Sequence, residues 1–327
     1  MGFEASRLRL ELGALNRLLA QGCPHAESHG TPPVVVYAPD GARHGNFFDP
    51  AYAAILARPE WLKRFDKVHA QARSLPRAER KWRELDSSMS SDALLMNVFC
   101  TPGVVESAAV RRMLGIEVGA EPVFGWKARV PLKNGRFDRT EVDMKLGSLL
   151  VEAKLTETDF QTRAAAVMED YRDFDVAFER GLLPRVEIKA ARQRAAVEFA
   201  EEFTQEWEDA GDEEAARAFQ EGIVERAREA EPAEEGYAGY QLIRNVLAAE
   251  AEGLSFCVLF DERRPDLREM WFRVMAAVKA ADLRIRLKSL TWQELSESLP
   301  GALRKFLDRK YGIAAPGCPA SAVGETE

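Results

Sequence analysis

Residues 139–157 read Arg-Thr-Glu-Val-Asp-Met-Lys-Leu-Gly-Ser-Leu-Leu-Val-Glu-Ala-Lys-Leu-Thr-Glu, two short extended runs that meet at Gly147-Ser148. A Gly-Ser step between alternating apolar residues is a hairpin signal. In the first run Val142, Met144 and Leu146 alternate with Glu141, Asp143 and Lys145. In the second, Leu149, Val151, Ala153 and Leu155 alternate with Glu152 and Lys154. Successive strand side chains point to opposite faces, so the hairpin is expected to bring Asp143, Glu152 and Lys154 to one surface. Glu152 and Lys154 would stand ~6.6 Å apart along their strand.

The run Leu149-Leu150-Val151 marks the second strand as central in a sheet. Two carboxylates held together there are costly unless something offsets their charge. A hard divalent cation does so, and Asp and Glu oxygens suit Mg²⁺ or Mn²⁺. A neighbouring ammonium would orient a water nucleophile or offset phosphorane charge. The competing reading is a solvated surface hairpin with a Glu-x-Lys ion pair, against which the apolar register of both runs argues.

Asp143 followed by Glu152-Ala153-Lys154 resembles the core motif of the PD-(D/E)xK nuclease superfamily, the restriction-endonuclease-like fold, with Val142 where the motif's leading Pro would stand. The resemblance implies Mg²⁺, with Mn²⁺ able to substitute, held by Asp143, Glu152 and the backbone carbonyl of Ala153, and Lys154 assisting the attack. It further implies an acid or amide from the helix before the first core strand, for which Asn97 and Glu106 are the candidates. Ser90 to Asn97, Ser-Ser-Asp-Ala-Leu-Leu-Met-Asn, is similar to a stretch of bacterial restriction-endonuclease-like proteins with a Glu-Ala-Lys-Leu-Thr-Glu core. Gln241 resembles a Gln that several branches carry on the helix after the Glu-x-Lys strand; a structural amide is the other reading. Glu157 is either an accessory acid or a residue favouring a helix N-terminus.

Around this motif the chain reads as an α/β protein. Leu8, Leu12, Leu15 and Leu19 predict a helix over 5–20, and Val34–Tyr37 a short strand. Ser90-Ser91-Asp92 opens a helix. Residues 121–130 predict a strand with Phe124, Trp126 and Ala128 alternating against Lys127 and Arg129. After the hairpin, Thr158 or Asp159 caps an expected helix to about Arg180. Helix 237–252, buried strand 254–260, helix 266–281, edge strand 284–290 and a helix from Thr291 to Tyr311 follow. From Ser90 the order matches the αβββαβ core that the resemblance implies: a mixed central sheet flanked by helices. The expected domains are a mainly helical N-terminal extension over 1–86, a nuclease-like domain over 87–313 with a charged helical insertion at 184–235, and a disordered tail from 314.

The net charge of −8 argues against a polyanionic partner until its distribution is examined. Glu198 to Glu235 holds fifteen acidic residues and three Arg, a balance of −12, which leaves the remainder at +4. Lys133, Arg136 and Arg139 lead into the hairpin where phosphates would arrive. From Arg58 to Asp86 nine Lys and Arg face five acids, interleaved with Trp61, Phe65 and Trp82. That stretch is either a phosphate-tracking surface or a helix pair with inward tryptophans. In 284–290, Arg284, Arg286 and Lys288 oppose Ile285, Leu287 and Ser289, as edge protection or as phosphate contacts. Cys23, His25, His29 and His44 have zinc-ligand chemistry but match no common ligand spacing. Four scattered cysteines suggest reduced thiols and a cytoplasmic protein. No run reaches the ~20 apolar residues of a membrane span, and Arg7, Arg9 and Glu11 do not suit a signal peptide.

These readings converge on an Mg²⁺-dependent nuclease, an endonuclease on duplex DNA in restriction, defence or repair. The alternative from another class is a non-catalytic nucleic-acid-binding or partner-docking module on a nuclease scaffold. RNA as substrate is a third reading, and a homodimer is one arrangement that two-strand cutting would favour.

Overall fold

Five strands build the central sheet: β1 (Pro122–Lys127), β2 (Glu141–Leu146), β3 (Leu149–Ala153), β4 (Ser255–Phe260) and β5 (Leu287–Thr291). Their spatial order is β5-β4-β3-β2-β1. The first three pair antiparallel, whereas β3-β4 and β4-β5 are parallel, with Val258 beside Glu152 and Leu259 beside Ala153. The sheet is therefore mixed, and its flanking helices make the fold restriction-endonuclease-like. The computed structural model describes residues 2–28, 32–65, 67, 83–139, 141–188 and 235–314. His29, most of the basic stretch with Trp82, the acidic segment 189–234 and the tail from 315 lie outside the described residues.

Strands β3 and β4 are apolar on both faces because both faces are covered. On one face Leu150, Phe256, Val258 and Phe260 meet the helices Tyr240–Glu252 and Pro265–Ala277. On the other, Leu149, Val151, Ala153, Cys257 and Leu259 meet α1 (Phe3–Ala20), the helix Ser91–Phe99 and the helix Gly301–Tyr311. Numbered in chain order, these helices are α1, α2 (Asp49–Leu56), α3 (Pro59–Phe65), α4 (Ser91–Phe99), α5 (Ala108–Leu114), α6 (Tyr240–Glu252), α7 (Pro265–Ala277) and α8 (Gly301–Tyr311). A smaller core of Phe47, Tyr52, Ile55, Trp61 and Phe65 seats α2 and α3 on α4.

The hairpin turns at Gly147, at φ +58°, as a two-residue turn favours. Met144 and Leu146 share a face as expected, but Val142 packs into the opposite core with Ala128 and Leu150. The change of face falls beside Gly125, at φ +65°, which lies between the pairs Phe124↔Met144 and Trp126↔Val142. Phe124 and Trp126 likewise pack into opposite cores, against the simple alternation expected of them.

Three further expectations are corrected. The helix expected over 158–180 is replaced by a strand at Thr162–Ala164 and short helices at Ala165–Glu169 and Phe174–Ala177. Gln161 adopts φ +61°, which no helix accommodates, and Thr162–Ala164 pairs with Glu235–Ala238 instead. The helix expected from Thr291 to Tyr311 is split into Trp292–Ser296 and α8, because Pro300 lacks the amide needed to continue the first. The last strand starts at Leu287, leaving Ile285 83% exposed. Its basic row is absorbed locally: Arg286 donates to the carbonyls of Ala249 and Leu254 at the end of α6, and Lys288 to that of Leu114 at the end of α5. Cations at helix C-termini satisfy orphan carbonyls there.

His44 is buried, with Nε2 3.1 Å from Asp86 Oδ1 and its ring among Phe47, Tyr52 and Phe65. Burial pulls its imidazole below the ordinary 6.5, a shift that the Asp86 hydrogen bond only partly opposes. The folded state thus resists protonation of His44 while the unfolded chain accepts it. Stability is expected to fall as pH drops below 6.5 toward the folded value. Denaturant midpoints at pH 7 and pH 5 check this, with a smaller drop expected for His44→Gln than for the parent chain.

Candidate functional site

The end of β3 carries the chemistry. Asp143 and Glu152 lie just beyond the last hairpin pair, Met144↔Val151, and the amide of Ala153 donates to Asp143 Oδ2 at 2.8 Å. Glu152 lies behind the cleft, 1% exposed, with each oxygen engaged. Lys154 Nζ donates to Oε1 at 2.8 Å and Asn245 Nδ2 to Oε2 at 2.9 Å. Asn245 accepts from Arg244, whose guanidinium also reaches Asp138, and Tyr171 donates to the same Asp138 at 2.6 Å. A buried polar chain from the far side of α6 thereby fixes Glu152 in place.

Lys154 is 5% exposed and lines the cleft. Its backbone is held from both sides: its amide donates to Leu259 O at 2.8 Å, and Trp292 Nε1 donates to its carbonyl at 3.0 Å. Burial alone would lower the lysine, but the charges of Glu152, Asp143 and Glu157 outweigh it and hold Lys154 above its ordinary value. Asp143 also shifts upward, which for a carboxyl disfavours the charged form. Burial, then the charges of Glu152 and Asp92, raise it well above the usual range, against the pull of Lys154.

Asp143 and Lys154 open onto a cleft of about 450 Å³, also lined by Asp92, Glu157, Asp159 and Gln241. Asp92 comes from the first turn of α4 and is clamped by Arg64 Nη2 at 2.6 Å, with Lys67 Nζ at 3.8 Å. Arg64 passes over Gly125, where a Cβ would lie 2.8 Å from its Nη1. Glu157 accepts from Leu155 N at 2.6 Å and from the Ser91 hydroxyl. The loop bearing it is bound by the fully buried Arg264, which donates to the carbonyls of Leu155, Glu157 and Thr158.

The structure thus brings Asp143, Glu152, Ala153, Lys154, Glu157 and Gln241 into one neighbourhood. It does not bring Asn97 or Glu106 there. Asn97 is buried and bonds Phe48 N, Asn46 O and Ala93 O, and Glu106 is exposed in a turn outside the cleft lining. The residues that sequence reasoning passed over are Asp92, hidden as an ordinary first-turn acid, and Asn245, visible only as sharing a helix face with Gln241. Of the zinc candidates, His44 is committed to Asp86 and His25 Nδ1 to Cys23 O. Among the described residues, no group of three His, Cys, Asp or Glu side chains is preassembled as a metal cage.

For a hard cation the donor set nevertheless fits. Asp143 Oδ1 has no hydrogen-bond donor among the described residues, and carboxylate oxygens accept more partners than Glu152 presently has. Burial and then the charges of Glu152 and Asp92 raise Asp143, and a cation would relieve that repulsion.

No helix among the described residues is long and apolar enough to cross a membrane. No curated protein and no solved structure matches the chain. A family model described as "Restriction Endonuclease associating with ARP" does match, over residues 22–312. With the five-stranded mixed sheet, the paired carboxylates and the buried lysine at its centre, the chain belongs to this restriction endonuclease family.

Proposed function

We propose that the protein is a metal-dependent endonuclease that hydrolyses phosphodiester bonds of duplex DNA. The observation that carries this reading is the convergence of Asp143, Glu152 and Lys154 at the end of β3, with Asp143 and Lys154 facing an open cleft. Asp143 and Glu152, with the Ala153 carbonyl and the nearby Asp92, would hold Mg²⁺ or Mn²⁺. When bound, such an ion polarises the scissile phosphate and makes water a better nucleophile near neutral pH.

The chain's own residues supply the rest. Lys154, kept protonated by its acidic neighbours, directs positive charge toward the attacked phosphate and orients the incoming water. Asn245 steadies Glu152 so that its carboxylate keeps one direction as charge changes beside it. Gln241 and Glu157 offer hydrogen-bonding groups at the cleft wall. Lys127, Arg129, Lys133, Arg136 and Arg139 are all exposed near the entry to β2 and suit contacts to the DNA backbone.

One observation favours a second reading. Glu152 is occupied on both oxygens, and Lys154 rather than Glu152 lines the cleft. A permanent ion pair of this kind suits a non-catalytic module that docks DNA or the ARP partner of the family's description. Incubation of the chain with supercoiled plasmid separates the two. The endonuclease reading expects nicked or linear product with Mg²⁺ or Mn²⁺, none with a chelator, and less product from an RNA substrate. Uncut plasmid under every metal tested would leave the docking reading.

A further inference from the structure

A second pocket, of about 820 Å³, opens between α8 and the 43–50 segment and shares no lining residue with the cleft at Asp143. Ala302, Lys305, Phe306 and Arg309 line it at the three- and four-residue spacing of one helix face. Lys305 and Arg309 are exposed, and neither has an acidic partner within ion-pair distance among the described residues. Arg43 faces the same space, and its ion pair with Asp49 is long, at 3.6 Å. Bases in the last turn of a helix have an ordinary explanation, which covers Arg309 but neither Lys305 nor Arg43.

The pocket also has an aromatic wall. The rings of Phe48 and Phe306 stand 5.6 Å apart between centroids, both half-buried. The cavity is preformed, because the buried Lys310 ties its two sides together. Its Nζ donates to Asn16 Oδ1 at 2.8 Å and to Gly45 O at 3.2 Å, and lies 4.1 Å from the centre of the Tyr37 ring. Cations lining one cavity beside a half-buried aromatic pair are complementary to an anionic phosphate attached to a flat ring.

We propose that this pocket is a second, non-catalytic site for a nucleoside phosphate, the phosphate between Lys305, Arg309 and Arg43 and the base against Phe48 and Phe306. That chemistry has two sources, a free mononucleotide or the 5′-phosphorylated end of an oligonucleotide. The test is calorimetric titration of the whole chain, without divalent metal, with AMP, with inorganic phosphate, and with a short oligonucleotide with and without its 5′-phosphate. AMP or the phosphorylated oligonucleotide binds saturably. Lys305→Glu/Arg309→Glu, both exposed positions, weakens that binding by about tenfold or more. Phe306→Ala weakens AMP more than inorganic phosphate, and melting curves of the variants confirm that they fold. Tighter binding of the phosphorylated oligonucleotide than of AMP assigns the site to a nucleic-acid end, and the reverse order assigns it to a free nucleotide. The absence of saturable binding by either, or a charge-reversed variant that binds as tightly as the parent chain, overturns the proposal.

Discussion

Lys154→Ala is expected to lower DNA cleavage by at least about 10²–10³-fold, the scale on which removal of one preorganised charge-stabilising group acts. The substitution also strands Glu152, which is 1% exposed, without its cationic partner. Breaking a buried pair from one side costs about 3–5 kcal/mol, a figure that proton uptake by the abandoned carboxyl would reduce. Loss of activity and loss of fold must therefore be separated. Glu152→Gln/Lys154→Met removes both charges at similar volume and keeps an acceptor for Asn245. This double variant is expected to recover most of the stability and none of the activity. Urea unfolding beside plasmid cleavage reads both, and a double variant that cuts DNA like the parent chain would reduce the pair to a folding element.

The largest expected loss of stability belongs to Trp292→Ala. Trp292 is 1% exposed in the core beneath β3 and β4, and its indole N–H donates to Lys154 O at 3.0 Å. Large-to-small replacement of a buried tryptophan costs about 3–5 kcal/mol, through lost burial and the cavity left behind. Trp292→Phe retains most of the apolar contact and gives up the hydrogen bond, for about 1–3 kcal/mol if the carbonyl goes unpaired. Urea midpoints should rank parent, Phe, Ala in that order. A Phe variant that keeps its stability but cleaves more slowly would show that the indole also positions Lys154. Equal midpoints for parent and Ala would contradict the packing described for this face.

Much of this arrangement is readable before any coordinates. Period-two alternation on both sides of Gly147-Ser148 sets the register that pairs Leu146 with Leu149 and Met144 with Val151, and so carries Asp143 to the side of Ala153; the unbroken apolar runs of β3 and β4 mark them as central. What escapes is whatever depends on distant partners or on one unusual backbone angle. Gln161 carries a left-handed conformation that no composition rule announces, and with it the helix expected after Asp159 disappears. Gly125 looks like an ordinary strand glycine until Arg64 is seen crossing it to reach Asp92. Asp92 itself reads as a first-turn acid, because that position favours acids without any function. Asn97 shows the reverse error: an amide on the right helix, committed instead to the backbone of Phe48 and Asn46.

The central claim is that Asp143 and Glu152 together hold a hard cation. Titration of the folded chain with Mn²⁺ in a calorimeter, without DNA, tests it most directly when parent and Asp143→Asn are compared. The substitution keeps the side chain's shape and removes a charge that its neighbours already disfavour. Saturable Mn²⁺ binding by the parent chain, weakened by at least about tenfold in Asp143→Asn, is the predicted result. Mn²⁺ binding of equal affinity in both proteins, or none in the parent chain, would contradict it.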